Sequence, residues 1–179
     1  AAGLDAFVQA FESFTSRHAT PFTRALSELA VTRLARALLP FYEGDSDAAG
    51  EMLEASYLAG VALSHARLGV IHGLAHPLGA RFHAAHGLVC ACCLPAVLRF
   101  NAPATAELRP AIDRAAGGDF TRWVDEALDT FHLVSPFRGA RLPDRSAIVA
   151  ETLQSGSTKA NPRDVGPADV ERLLDAILE

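Results

Sequence analysis

The chain has 179 residues, half of them hydrophobic, and a formal charge of −5 with Lys and Arg scattered along it. That size fills one substantial core and sets a single domain as the expectation. The dispersed, net-acidic charge offers no track for a phosphate backbone, which excludes nucleic acid as the expected partner.

No apolar run approaches the roughly 20 residues that cross a bilayer, and the opening has no basic segment followed by an apolar one. No membrane partner is expected. Cys90, Cys92 and Cys93 sit too close together, and in odd number, for a disulfide framework, which points to reduced thiols and a cytoplasmic setting. The chain opens at Ala1 with a helix almost at once, so further sequence upstream is expected.

Residues 4 to 17 read as a helix, with Leu4, Phe7, Val8, Phe11 and Phe14 recurring at three- and four-residue steps. Asp5, Gln9 and Glu12 stack along one edge of it, an arrangement that is more often a solvated face than a site. Thr20-Pro21 is an N-cap followed by a first-turn proline, and Phe22, Leu26, Leu29, Leu34 and Leu38 carry a helical stripe to Pro40. Glu43 to Asp47 is a turn, after which Met52, Leu53, Tyr57, Leu58, Val61 and Leu63 mark a third helix whose Gly60 and alanines permit close packing. From Gly69 to Gly87 the pattern is irregular, because Gly73, Pro77 and Gly79 are expected to interrupt a continuous helix.

Leu88 to Phe100 is apolar nearly throughout and reads as a buried helix. Leu108, Ile112 and Ala115 suggest a short helix before Gly117-Gly118, and Phe120, Trp123, Val124, Leu128 and Phe131 repeat the period. Ile148, Val149, Thr152 and Leu153 fit one more helix, residues 155 to 162 are polar and turn-rich, and Pro167 opens an amphipathic helix with Val170, Leu173, Leu174 and Ile177 on one side. No alternating strand run and no fixed-period repeat is present. The predicted fold is all-α, with about eight or nine helices.

Five of the seven histidines fall within residues 65 to 86. His72 and His76 are spaced i, i+4, which on a helical turn brings both rings to one side as metal pairs require, although no His-Glu-x-x-His word supplies the base of a zinc protease. His86 follows, with Asp5 as a carboxylate able to join from another helix. His72 and His86 are read equally as ligands or as core imidazoles, whereas His65 and His83 are expected to be core residues hydrogen-bonded to a carbonyl. Cys90 is i+4 from His86, so a zinc site of the Cys/His type is a rival, but Cys-x-Cys-Cys places neighbouring thiols on different helix faces and buried packing is preferred.

Several words together resemble a known family, the metal-dependent (group III, iron-containing) alcohol dehydrogenases, in their C-terminal helical half. They are Gly3-Leu4-Asp5-Ala6 with Glu12, His72-Gly73-Leu74-Ala75-His76-Pro77-Leu78-Gly79, His86-Gly87, Leu94-Pro95 with Phe100-Asn101, and Lys159-Ala160-Asn161-Pro162, in the family's order over nearly the whole chain. The resemblance implies a multi-helix, dehydroquinate-synthase-like α domain. It implies that Asp5, His72 and His86 are ligands of one divalent metal, iron(II) foremost and zinc as the other candidate. Gln9 stands where most members have the fourth ligand, a histidine, and offers only a neutral carbonyl oxygen. His76 is implied beside the metal as a proton relay, with the metal acting as Lewis acid and hydride passing between an alcohol and NAD(P).

The family's glycine-rich dinucleotide turn is absent, and Gly117-Gly118 lies between helices, not after a strand. The resemblance therefore implies an N-terminal nucleotide-binding α/β domain as partner, with a homodimer as a further expectation. The 179 residues alone are expected to be inert. Two rival readings stay open: a maleylacetate-reductase-like enzyme that works without metal, toward which Gln9 tilts, and a non-catalytic helical metal-binding module.

Overall fold

A computed structural model describes residues 1–179. Nine α-helices and no strand follow one another: α1 Ala2–Thr15, α2 Pro21–Tyr42, α3 Asp47–Ala66, α4 Val70–Phe82, α5 His86–Asn101, α6 Arg109–Ala116, α7 Phe120–Thr130, α8 Arg145–Gln154 and α9 Pro167–Leu178. Short 3-10 turns at Ala106–Leu108 and Thr158–Ala160 precede α6 and follow α8. No single helix is long and apolar enough to cross a membrane.

The core is built around α1, which packs against α2, α3 and α5. Phe7 and Phe11 stack on Phe120, and Phe7 lies 4.3 Å from the Trp123 ring, so α7 closes over the same face. Ala48, Met52, Ala55, Ala59, Ala62 and Ala66 form the buried stripe of α3, and its five alanines let it approach α1 and α2 closely. The expected start of α2 is present: Thr20 accepts from the Thr23 N–H, and Thr23 reciprocates at the cap, with Pro21 in the first turn.

The structure differs from the sequence reading between residues 69 and 87. Instead of an irregular stretch there is a continuous helix, α4, running through Pro77. A proline inside a helix costs about 3 kcal/mol, but Val70, Ile71, Leu74 and Leu78 are all essentially inaccessible here. At about 1.5–3 kcal/mol for each such side chain, burial outweighs the lost hydrogen bond. Gly73 serves packing and not a break, since a Cβ there would lie 1.9 Å from Thr158 Oγ1. The real interruptions lie outside α4, at Arg67 (φ 62°) and His83 (φ 48°).

His65 and His83 also depart from the expectation of core residues. His65 is exposed in the last turn of α3, outside its alanine stripe. His83 is exposed as the left-handed residue that ends α4, a conformation histidine tolerates better than most side chains.

Candidate metal centre

The N-terminal end of α4 is built against α1. Its first amides have no partner within the helix, and two distant side chains supply one. The Ile71 N–H donates to Glu12 Oε1 at 2.7 Å and the Val70 N–H donates to Asn161 Oδ1 at 3.2 Å. Asn161 is held in turn by a reciprocal amide pair with Asn101, at 2.8 and 3.0 Å. Gly69 is required at this approach, because a Cβ would stand 2.6 Å from Glu12 Oε1.

The second Glu12 oxygen lies 2.7 Å from His72 Nδ1, with both side chains nearly fully buried. The carboxylate accepts from Nδ1–H, which fixes the ring and turns Nε2 toward α5. There His72 Nε2 lies 3.4 Å from Asp5 Oδ1, and His86 Nε2, on the first residue of α5, lies 3.7 Å from the same oxygen. Cys90, one turn further along α5, brings its Sγ within 3.6 Å of His86 Nε2 and 3.9 Å of His72 Nε2. The ligand atoms of Asp5, His72, His86 and Cys90 all lie within 4.8 Å of one another.

His76 stands on the exposed side of this cluster. Its Nδ1 donates to the His72 carbonyl at 2.8 Å, one turn back, and its ring centroid lies 5.3 Å from that of His86. Gln9 is not turned into the cluster by its carbonyl: its amide nitrogen donates to Asp5 Oδ2 at 3.1 Å. A carboxylate only accepts, so the nitrogen must be the end that meets it.

Burial works against charge on His72, but the nearby Asp5 carboxylate, the Cys90 sulfur and the Glu12 bond prevail and push the imidazole up to about 12. Burial likewise opposes charge on Asp5, and the His72 imidazole close beside it holds its carboxyl below the ordinary range. The His86 imidazole is lowered, by burial first and despite Asp5. Burial pushes the Cys90 thiol up to about 11. Two carboxylates thus flank one buried imidazole, an acidic balance suited to a cation.

The donors fit a divalent metal. Asp5 Oδ1 is buried with no hydrogen-bond partner, and it is the atom that both imidazole nitrogens face. A tetrahedral ion with nitrogen and oxygen ligands at about 2.0–2.1 Å sets those donors about 3.3 Å apart, close to the spacings found.

Of the residues singled out in the sequence, Asp5, His72 and His86 are brought together, His76 flanks them and Gln9 supports Asp5 from the side. Glu12, one of the polar edge of α1, holds His72, and Cys90, expected only to pack, joins the cluster. The i, i+4 step from His86 was the available signal for Cys90; for Glu12 there was only its place in the resembling word.

These nine helices, with an acidic His/Cys/carboxylate cluster where α1, α4 and α5 meet, define a helical domain with a candidate metal centre. The model of the Fe-containing alcohol dehydrogenase family, C-terminal, matches residues 1–178, and the chain belongs to that family. It is 33% identical to the lactaldehyde reductase of Escherichia coli K12, over 97% of this chain and 49% of that protein. The 1-propanol dehydrogenase PduQ of Salmonella typhimurium LT2 is 42% identical over 64% of this chain and 32% of its own length.

Among solved structures, the iron-containing alcohol dehydrogenase of Thermococcus thioreducens superposes with a TM-score of 0.85 at 27% identity, over 98% of this chain and 49% of that one. The alcohol dehydrogenase of Oenococcus oeni gives 0.88 at 27% identity, over 97% and 50%. The chain spans about half the length of the relatives it covers end to end.

Proposed function

We propose that this chain is the metal- and substrate-binding half of an NAD(P)-dependent alcohol dehydrogenase that interconverts an alcohol with an aldehyde or ketone. The observation that carries this reading is the convergence of His72 Nε2 and His86 Nε2 on the unpartnered Asp5 Oδ1. Asp5, His72 and His86 would hold the divalent ion, iron(II) by family and zinc as the alternative. Gln9 is the family-position candidate for the fourth place and here steadies the Asp5 carboxylate. When bound, the ion supplies Lewis-acid polarisation of the alcohol or carbonyl oxygen.

The chain's own residues do the rest of the work on this side of the reaction. Glu12 keeps His72 in the tautomer whose Nε2 faces inward. His76, anchored through Nδ1, presents Nε2 on the solvent side, where it takes up the hydroxyl proton during oxidation and returns one during reduction. The hydride acceptor, a nicotinamide, comes from a nucleotide-binding α/β domain that the longer relatives have room for; one relative is named an NADPH-dependent butanol dehydrogenase, from Clostridium saccharobutylicum. A homodimer and a cytoplasmic location belong to the same proposal.

The test is metal content after purification without chelator, together with NAD- and NADP-linked alcohol oxidation with and without a nucleotide-binding domain. Bound divalent metal, no turnover by the 179 residues alone and turnover once the domain is supplied are expected. A chain that holds no divalent ion and gains nothing from added iron or zinc supports the metal-free, maleylacetate-reductase-like reading, which the Gln9 amide on Asp5 favours.

A further inference from the structure

Three cysteines lie in one turn of α5, and their surroundings differ. Cys93 is sealed in the apolar core, and Cys92 is half-buried. Cys90 alone directs its sulfur at the cluster, 3.6 Å from His86 Nε2 and 3.9 Å from His72 Nε2. A tetrahedral ion with sulfur at ~2.3 Å and nitrogen at about 2.0–2.1 Å sets the sulfur about 3.6 Å from each nitrogen. Cys90 therefore meets the spacing of a ligand as well as Asp5 does.

The residue at the family's fourth position does not compete for that place. Gln9 gives its amide nitrogen to Asp5 Oδ2, which commits the side chain to holding the carboxylate. No other protein donor of the His, Cys, Asp or Glu type is grouped with Asp5, His72 and His86.

We propose that Cys90 is the fourth protein donor of the metal centre, its thiolate joining Asp5, His72 and His86, and that this set takes zinc in preference to iron(II). The inference rests on the metal-dependent reading above and deepens it. Two anionic donors, Asp5 and the Cys90 thiolate, balance a divalent charge, and a soft thiolate beside two imidazoles matches zinc better than the harder iron(II). Coordination replaces the S–H proton, which leaves to solvent as the S–metal bond forms. His86 keeps two-fifths of its side chain exposed, so one side of the ion stays open to a substrate oxygen as an additional donor.

Cobalt(II), a spectroscopic substitute for zinc, tests this in the full chain without any turnover. Titration of cobalt should raise a thiolate-to-cobalt charge-transfer band in the near ultraviolet, and Cys90→Ser should abolish the band while cobalt still binds. Zinc affinity should fall at least tenfold in Cys90→Ser, and the preference for zinc over iron(II) in direct competition should shrink with it. Cobalt bound without a thiolate band, or a band that persists in Cys90→Ser, overturns the role of Cys90 and leaves the Asp5–His72–His86 centre standing. No binding of cobalt or zinc by the wild-type chain overturns both. Should Cys90→Ser fail to fold, X-ray absorption of the zinc-loaded wild-type chain decides: a sulfur neighbour at about 2.3 Å supports the assignment, and a shell of nitrogen and oxygen alone overturns it.

Discussion

Glu12→Gln separates a structural carboxylate from a merely buried one. Glu12 receives two donors at 2.7 Å, the Ile71 N–H on one oxygen and His72 Nδ1–H on the other, and is 2% exposed. Glutamine has the same shape but a single acceptor, so its NH2 must confront one of the two donors. Removing one partner of a buried charged pair and stranding its donor costs about 3–5 kcal/mol. Such a loss leaves a domain folded when its stability is about 10 kcal/mol, the middle of the ordinary range. Urea unfolding of the metal-free chain should therefore show an unchanged slope with a lowered midpoint. Because the substitution also frees the His72 ring, zinc affinity measured by competition should weaken about 10–100-fold. A stability loss under about 1 kcal/mol together with unchanged affinity would refute the claim that Glu12 orients His72.

Asn161→Ala removes the acceptor of the Val70 N–H and the reciprocal pair with Asn101; urea unfolding should show a loss of about 3 kcal/mol or more. Gly73→Ala forces a Cβ onto Thr158 Oγ1, and calorimetry should report a cost of about 1–3 kcal/mol. Adding Thr158→Ala should recover most of that cost, because the hydroxyl removed has no hydrogen-bond partner. His76→Ala, in the complete enzyme, should lower kcat by about a hundredfold and change its pH profile with metal content unchanged; an unaltered profile would count against a proton role. The Arg81 bond holds the Glu151 carboxyl below its ordinary 4.5, so this contribution is present above that value and is lost as pH falls through the lowered one. Arg81→Gln should accordingly flatten the acid limb of a stability-against-pH curve.

The helices were legible because their signals are local: Thr20-Pro21 at the start of α2, Pro167 at the start of α9 and the apolar period of α1 and α7 all fall where the structure places them. The stretch around Pro77 was misread because local rules count the missing hydrogen bond and cannot count the burial of Ile71, Leu74 and Leu78, which depends on α5 and α8. The polar edge of α1 was undecided for the same reason. Periodicity says that Asp5, Gln9 and Glu12 share a side, but only the arrival of α4 and α5 decides whether that side meets water. Its partners stand far off in sequence, with Glu12 59 residues from Ile71 and 60 from His72.

That burial also explains why the centre is costly and why it persists. Two carboxylates in a helical core would each carry a penalty of several kcal/mol if unpaired. Here Glu12 is neutralised by a backbone amide and an imidazole, whereas Asp5 retains an oxygen that no donor satisfies. An apolar residue of similar size at position 5 would pack against the same helices without that penalty. Asp5→Asn, which keeps the size of the side chain and can still accept from Gln9, should cost the metal-free chain less than about 2 kcal/mol in urea while abolishing tight zinc binding, because the carboxylate charge is needed chiefly by a cation. If Asp5→Asn instead weakens the metal-free chain by more than about 2 kcal/mol, its carboxylate is a structural partner of His72, and the case for a cation at the unpartnered oxygen fails.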